Sequence, residues 1–269
     1  MSTPDLTNFR YFTNFLNGDA RLKNAPQWSF SIIGRTEAVS VLHKEVLDQL
    51  QKCYVAYKEY LQQGYGSYRE FMILTAKYEA FLNSIYSLCE NLSYVVHKLY
   101  PSKNLPHFFH EQKNRFLKDG TIDSDYSATL KNTYWYDEVQ CMRANSTHFL
   151  YGLIALYGET QLGFVNIPLS ERKSTTNRIL KDGKISIDNI EKHVKQLFND
   201  FLTFLSLFGN HFVGIINQES IQTYACMAPD GKIIGVRSIS LKSIQNHEKW
   251  TCGNKNCPSR SSCDTIKIE

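Results

Sequence analysis

Between Phe71 and Leu99 apolar residues recur at alternating steps of three and four without a miss: Phe71, Leu74, Tyr78, Phe81, Ile85, Leu88, Leu92, Val95 and Leu99. At 3.6 residues per turn these positions share one helical face, and a face so continuous requires an apolar partner. The stripe therefore predicts the seam of a helical bundle or a coiled coil, stopped by Pro101 and Pro106. Upstream, Val39, Leu42, Val46, Leu50, Cys53, Tyr57 and Tyr60 form a second helical face, separated from the first by the Gly64-Tyr65-Gly66-Ser67 break.

Composition agrees with long regular elements. The chain has 269 residues, 42% hydrophobic and 13% aromatic, with only 7 prolines and 14 glycines. Its net charge of +4 is too small to mark a nucleic-acid partner by itself. Asp5, Asn8, Arg10 and Asn14 interrupt the stretch where an export signal needs an apolar run, so a cytoplasmic protein is expected. The longest uncharged stretch, Phe201 to Gln218, contains Asn210, His211, Asn217 and Gln218 and reads as a buried helix, with a membrane span as the alternative.

Further along, a short helix is expected over Phe108 to Leu117 and a polar turn over Asp119 to Asp125. Trp135, Val139, Met142, Phe149, Leu153 and Leu156 fit one helical face, but Ser146 falls where the next apolar residue belongs. Asn145-Ser146-Thr147 suits a helix cap, which predicts a bend or a fresh helix start there, with helix over Phe149 to Tyr157. Gly158 to Gly183 reads as a long basic loop. Asp188 and Glu191 are spaced as a capping box for a fourth main helix carrying Ile190, Val194, Leu197, Phe201, Leu205, Phe208, Phe212 and Ile215. Tyr224 to Val236 reads as a β-hairpin around Pro229-Asp230-Gly231. The expected organisation is an N-terminal extension (Met1 to Gly34), a bundle (Arg35 to Ser220) and an appendage (Ile221 to Glu269). The fold class is mainly α: an antiparallel helical bundle with a small C-terminal β-hairpin and a Cys-rich tail.

Phosphate-loop, dinucleotide, nucleophile-elbow and His-Glu-x-x-His motifs do not occur, and no histidine follows a glutamate by three residues as a di-iron bundle would need. The remaining signal is Arg143-Ala144-Asn145-Ser146-Thr147-His148, at the interruption of the third apolar face. On this motif, set in a helical bundle, the chain resembles the HEPN superfamily. Its members are helical bundles, usually dimeric, marked by an Arg and a His four to six residues apart. Catalytic members cleave RNA without metal in a cleft between two protomers.

The resemblance extends over roughly Arg35 to Gln218 and implies a metal-independent endoribonuclease. His148 would be the general acid or base, Arg143 would stabilise the transition state, and Asn145 or Ser146 would orient substrate. A positioned imidazole is worth ~10²–10⁴ in rate, and a guanidinium offsets phosphate charge. It also implies a homodimer through the motif-bearing face, RNA as partner, and a toxin or phage-defence setting with an antitoxin partner. Residues five apart on an ideal helix point about 140° apart, so convergence needs either a helix start near Asn145 or a second protomer. Many catalytic members carry a polar residue after the Arg, where this chain has Ala144; a non-catalytic RNA- or protein-binding HEPN-like module is the alternative. A third reading makes Arg143 a surface ion-pair partner and His148 a satisfied histidine. Arg172, Lys173 and Arg178 are candidates to steer substrate phosphates, against plain solvated loop charge.

In the tail, His247, Cys252, Cys257 and Cys263 supply one imidazole and three thiolates, a full tetrahedral set for a structural zinc, with Cys226 as a substitute ligand. The alternatives are a loose tail with free thiols or an iron–sulfur cluster. No cofactor is expected for catalysis, and no membrane partner.

Overall fold

A computed structural model of the chain describes residues 4–22, 27–64, 68–148, 153–157, 161–166, 185–187, 189–227, 233–246 and 251–252. They are mainly helical: α1 (Thr7–Phe15), α2 (Trp28–Gln63), α3 (Arg69–Leu99), α4 (Phe109–Lys118), α5 (Ser124–Lys131), α6 (Tyr134–His148), α7 (Ile190–Phe212) and α8 (Leu241–Gln245). The strands are β1 (Leu153–Tyr157), β2 (Gln161–Asn166), β3 (Ile185–Ile187), β4 (Ile221–Met227), β5 (Ile233–Ser240) and β6 (Thr251–Cys252).

Every position of the Phe71 to Leu99 stripe is buried, and so are Leu82, Cys89 and Val96 on the flanks. The buried arc is wider than a two-helix seam, so α3 takes the centre of the bundle. It runs antiparallel to α2, because Gln49 bonds the Glu70 carboxylate (2.6 Å), Glu45 faces Lys77 (3.5 Å) and Ser31 accepts from Asn91 (2.8 Å). α2 ends at Gly64, whose φ of 73° is a left-handed conformation that costs glycine least, and its N–H closes on the Tyr60 carbonyl at 2.8 Å.

α1 packs on α7 through aromatic contacts: Phe12 meets Phe208 at 5.3 Å and Phe12 meets Phe212 at 6.1 Å. The division expected after Gly34 falls inside α2. Arg21 then ties the helix ends together, donating to the carbonyls of Leu99 (3.1 Å) and Ile215 (2.8 Å) while pairing with buried Asp19 (2.6 Å). α7 is the expected fourth main helix, but its N-cap is Asn189 rather than Asp188: the Asn189 side chain accepts the Lys192 N–H at 2.8 Å. Glu191 reaches forward to Lys195 instead (2.6 Å). The uncharged stretch expected as a buried helix contributes Phe201, Leu205, Phe208 and Phe212 to the core. Among the described residues, no helix is long and apolar enough to cross a membrane.

Two expectations are corrected. The turn expected over Asp119 to Asp125 forms, and at its end α5, which no expectation covered, opens because the Asp123 carboxylate caps it by accepting the Tyr126 N–H (2.9 Å). Residues 153–157, expected as helix, form a strand. Part of the expected loop, 161–166, pairs with it antiparallel, and β3 adds the third strand. Register places Ile154 opposite Phe164 and Phe164 opposite Ile187, and all three are buried, so this sheet covers the bundle with one face. The C-terminal hairpin forms as expected: β4 pairs antiparallel with β5, which β6 then joins; residues 228–232 between them lie outside the described residues.

Asp123 also joins α3 to α7, since its second oxygen accepts from the Tyr100 hydroxyl and from His211 Nε2 (2.8 Å). Partial burial works against the charged form, but the bonds from Tyr100, the Tyr126 N–H and His211 win and hold the carboxyl below the usual carboxylate range. A depressed carboxyl stabilises the fold above its unfolded value of about 4, and that contribution disappears as pH falls through the folded value. Asp123→Asn is therefore expected to lower Tm at pH 7, with the gap to wild type closing below about pH 4 in thermal scans.

A second pair of variants tests the packing of α1. A Cβ on Gly209 would lie 2.3 Å from the Phe9 nitrogen, whereas one on Gly34 meets nothing within 4 Å. Gly→Ala in a helix is worth about 0.5–1 kcal/mol by propensity, and overpacking costs about 1–3 kcal/mol. Gly34→Ala should raise the denaturant midpoint and Gly209→Ala should lower it.

Candidate active site

All four motif residues lie on α6, which runs unbroken from Tyr134 to His148. The fresh helix start expected near Asn145 does not occur: Asn145, Ser146 and Thr147 occupy the last turn. Side chains that compete for backbone hydrogen bonds suit either end of a helix, and here they mark the C-terminal one. Of Asn145, Ser146, Thr147 and His148 the structure describes the backbone only. Arg143 is thus not at a helix mouth. Positions 143 and 148 are separated by ~7.5 Å along the axis and by about 140° around it.

Arg143 is half-buried and turned towards α3, its guanidinium 4.5 Å from the centre of the Tyr86 ring. Such a stack contributes ~0.5–1 kcal/mol when exposed and about 2 kcal/mol when desolvated. Tyr86 is parallel to Tyr136 of α6 (6.0 Å, 14°), and the Tyr136 hydroxyl donates to Glu90 of α3 at 2.7 Å. The other Glu90 oxygen accepts the Phe109 N–H that opens α4 (3.3 Å). Burial, then the neighbouring Glu90 charge, raises the Tyr86 hydroxyl pKa, and the Arg143 charge opposes them. Burial drives Tyr136 far up as well, so both phenols stay neutral beside the carboxylate, and Tyr136 donates to it.

The opposite flank of α6 carries a network that sequence reasoning missed. His193 of α7 sits between Glu138 (Nε2 to Oε1, 2.8 Å) and the hydroxyl of fully buried Tyr78 (2.9 Å from Nδ1). Phe164 of β2 meets the Tyr78 ring edge-on at 5.1 Å. Both nitrogens of His193 are engaged, so it joins α3, α6 and α7. Its signal in the sequence is Tyr78 itself, a hydroxyl set in an otherwise apolar stripe and so in need of a buried partner.

The other candidates are placed only in part. Arg172, Lys173, Arg178, His247, Cys257 and Cys263 lie outside the described residues. Register sets Cys252 of β6 opposite Arg237 and Cys226 of β4 opposite Gly235. Among the described residues, no group of three His, Cys, Asp or Glu side chains could hold a metal ion. No protein-family model, curated protein or solved structure matches the chain.

Tyr78→Phe removes one buried hydroxyl and leaves His193 with an unmatched nitrogen, a loss of about 1–3 kcal/mol. The expected result is a lower urea midpoint with an unchanged m-value.

Proposed function

We propose that this chain is an HEPN-type, metal-independent endoribonuclease whose cleavage site is completed between two copies. One observation carries the reading: the Arg143 guanidinium is fixed over Tyr86 on the helix that ends at His148. Stacking uses the face of a guanidinium, while phosphate bonding uses N–H groups in its plane, so the two are geometrically compatible. The phase between positions 143 and 148 keeps one copy from presenting both to a single phosphate, so this reading needs a twofold axis that sets Arg143 beside His148 of the partner subunit.

In this reading one imidazole takes the ribose 2′-hydroxyl proton, the 2′-oxygen attacks the adjacent phosphorus, and the bond from phosphorus to the 5′-oxygen breaks. A protonated imidazole returns a proton to the leaving oxygen, giving a 2′,3′-cyclic phosphate and a 5′-hydroxyl. Arg143 offsets the charge that builds on the phosphate oxygens. The zinc expected on His247, Cys252, Cys257 and Cys263 has no part in this chemistry.

The second reading, a non-catalytic module that binds RNA or protein, is favoured by the unbroken helix through the motif and by Ala144. RNA incubated with the protein in chelator separates the two. Cleavage by wild type, and loss in both Arg143→Ala and His148→Ala at matched Tm, is the expected result. Mixing the two inactive variants should regain about a quarter of wild-type activity on free subunit exchange, because one site in each mixed dimer is intact. No regain places the site within one copy, and a wild type inert on varied RNAs leaves the module.

A further inference from the structure

The side chain of Arg143 has four rotatable bonds, and left to itself its guanidinium would sample many positions. Tyr86 limits that freedom. Its own ring lies parallel to the Tyr136 ring of α6 at 6.0 Å. Tyr136 is held in turn by its hydroxyl on Glu90 of α3, whose other oxygen accepts the Phe109 N–H of α4, so three helices define where the Tyr86 ring lies. The guanidinium rests on that ring at 4.5 Å.

We propose that Tyr86, held against Tyr136, is a positioning residue for Arg143, presenting the guanidinium in a fixed plane to an incoming phosphodiester. This rests on the nuclease reading for its consequence in catalysis and on the stack alone for its geometry. A prearranged charge stabilises a transition state without reorganising at the moment of reaction. A misplaced one loses that advantage, and a shift of about 1 Å can cost ~10²-fold in rate. Tyr86 touches no substrate in this scheme; it acts through Arg143.

Three measurements test it on the full-length protein. In wild type, the Arg143 Nε–H resonance should be displaced by the Tyr86 ring current, kept in Tyr86→Phe and lost in Tyr86→Leu. Towards an RNA oligonucleotide, Tyr86→Leu should lower kcat about 10- to 100-fold with KM little changed, while Tyr86→Phe and Tyr86→Trp, which keep an aromatic face, stay within a few-fold of wild type. Guanidinium chloride should restore part of the activity of Arg143→Ala and much less of the Arg143→Ala/Tyr86→Leu double variant. Equal rescue of both, or a wild-type Arg143 resonance without ring-current displacement, overturns the proposal. A wild type that cleaves no RNA sinks the nuclease reading instead, and the resonance then decides the positioning claim; it also decides should Tyr86→Leu fail to fold.

Discussion

α3 has to bury more than half of its circumference, and no single neighbour can cover that much. The stripe from Phe71 to Leu99 with Leu82, Cys89 and Val96 beside it calls for α2 along one side, α6 and α4 along another, and the β1–β2–β3 sheet near its N-terminal half. Each layer is amphipathic in a different way: α2 offers Val39, Val46 and Leu50, α6 offers Trp135, Val139 and Met142, and the sheet offers Ile154 and Phe164. α7 closes the remaining side and carries α1 on its back.

Polar groups inside this arrangement sit where several elements meet. Glu90 joins α3, α4 and α6; His193 joins α3, α6 and α7; Asp123 joins the ends of α3 and α7 to the start of α5. Apolar contacts tolerate sliding, while a carboxylate between a hydroxyl and a backbone N–H or an imidazole between a phenol and a carboxylate fixes register. Arg143 belongs to this class by its stack on Tyr86, and its place beside the Glu90 node explains how a side chain near a helix end can be held so firmly.

Much of the bundle is legible in the residues, and the reasons for the rest are physical. α3 and α7 follow from strict three-and-four spacing, and the α7 cap is misplaced by one residue because Asp188 and Asn189 are both good caps. α1 and α5 are short, so their few buried residues, Phe9 and Phe12 in one and Tyr126 and Leu130 in the other, make no long pattern. β1 is lost because Phe149, Leu153 and Leu156 also fit a helical phase, and only its pairing with β2 reveals the strand. At the site, the sequence brings Arg143 and His148 onto one helix. Tyr86 stays hidden, since it lies off the α3 stripe and becomes relevant only when α6 crosses it.

The contact between α1 and α7 has a consequence for how the chain is made. Phe9 and Phe12 find their partners in Phe208 and Phe212, about 200 residues later. A ribosome adding roughly 5–20 residues per second needs about 10–40 s to cover that interval. Through it the α2–α3 hairpin can close while three N-terminal phenylalanines, Phe15 included, remain without their shelter. A chain in synthesis would thus leave these three rings uncovered until α7 has emerged.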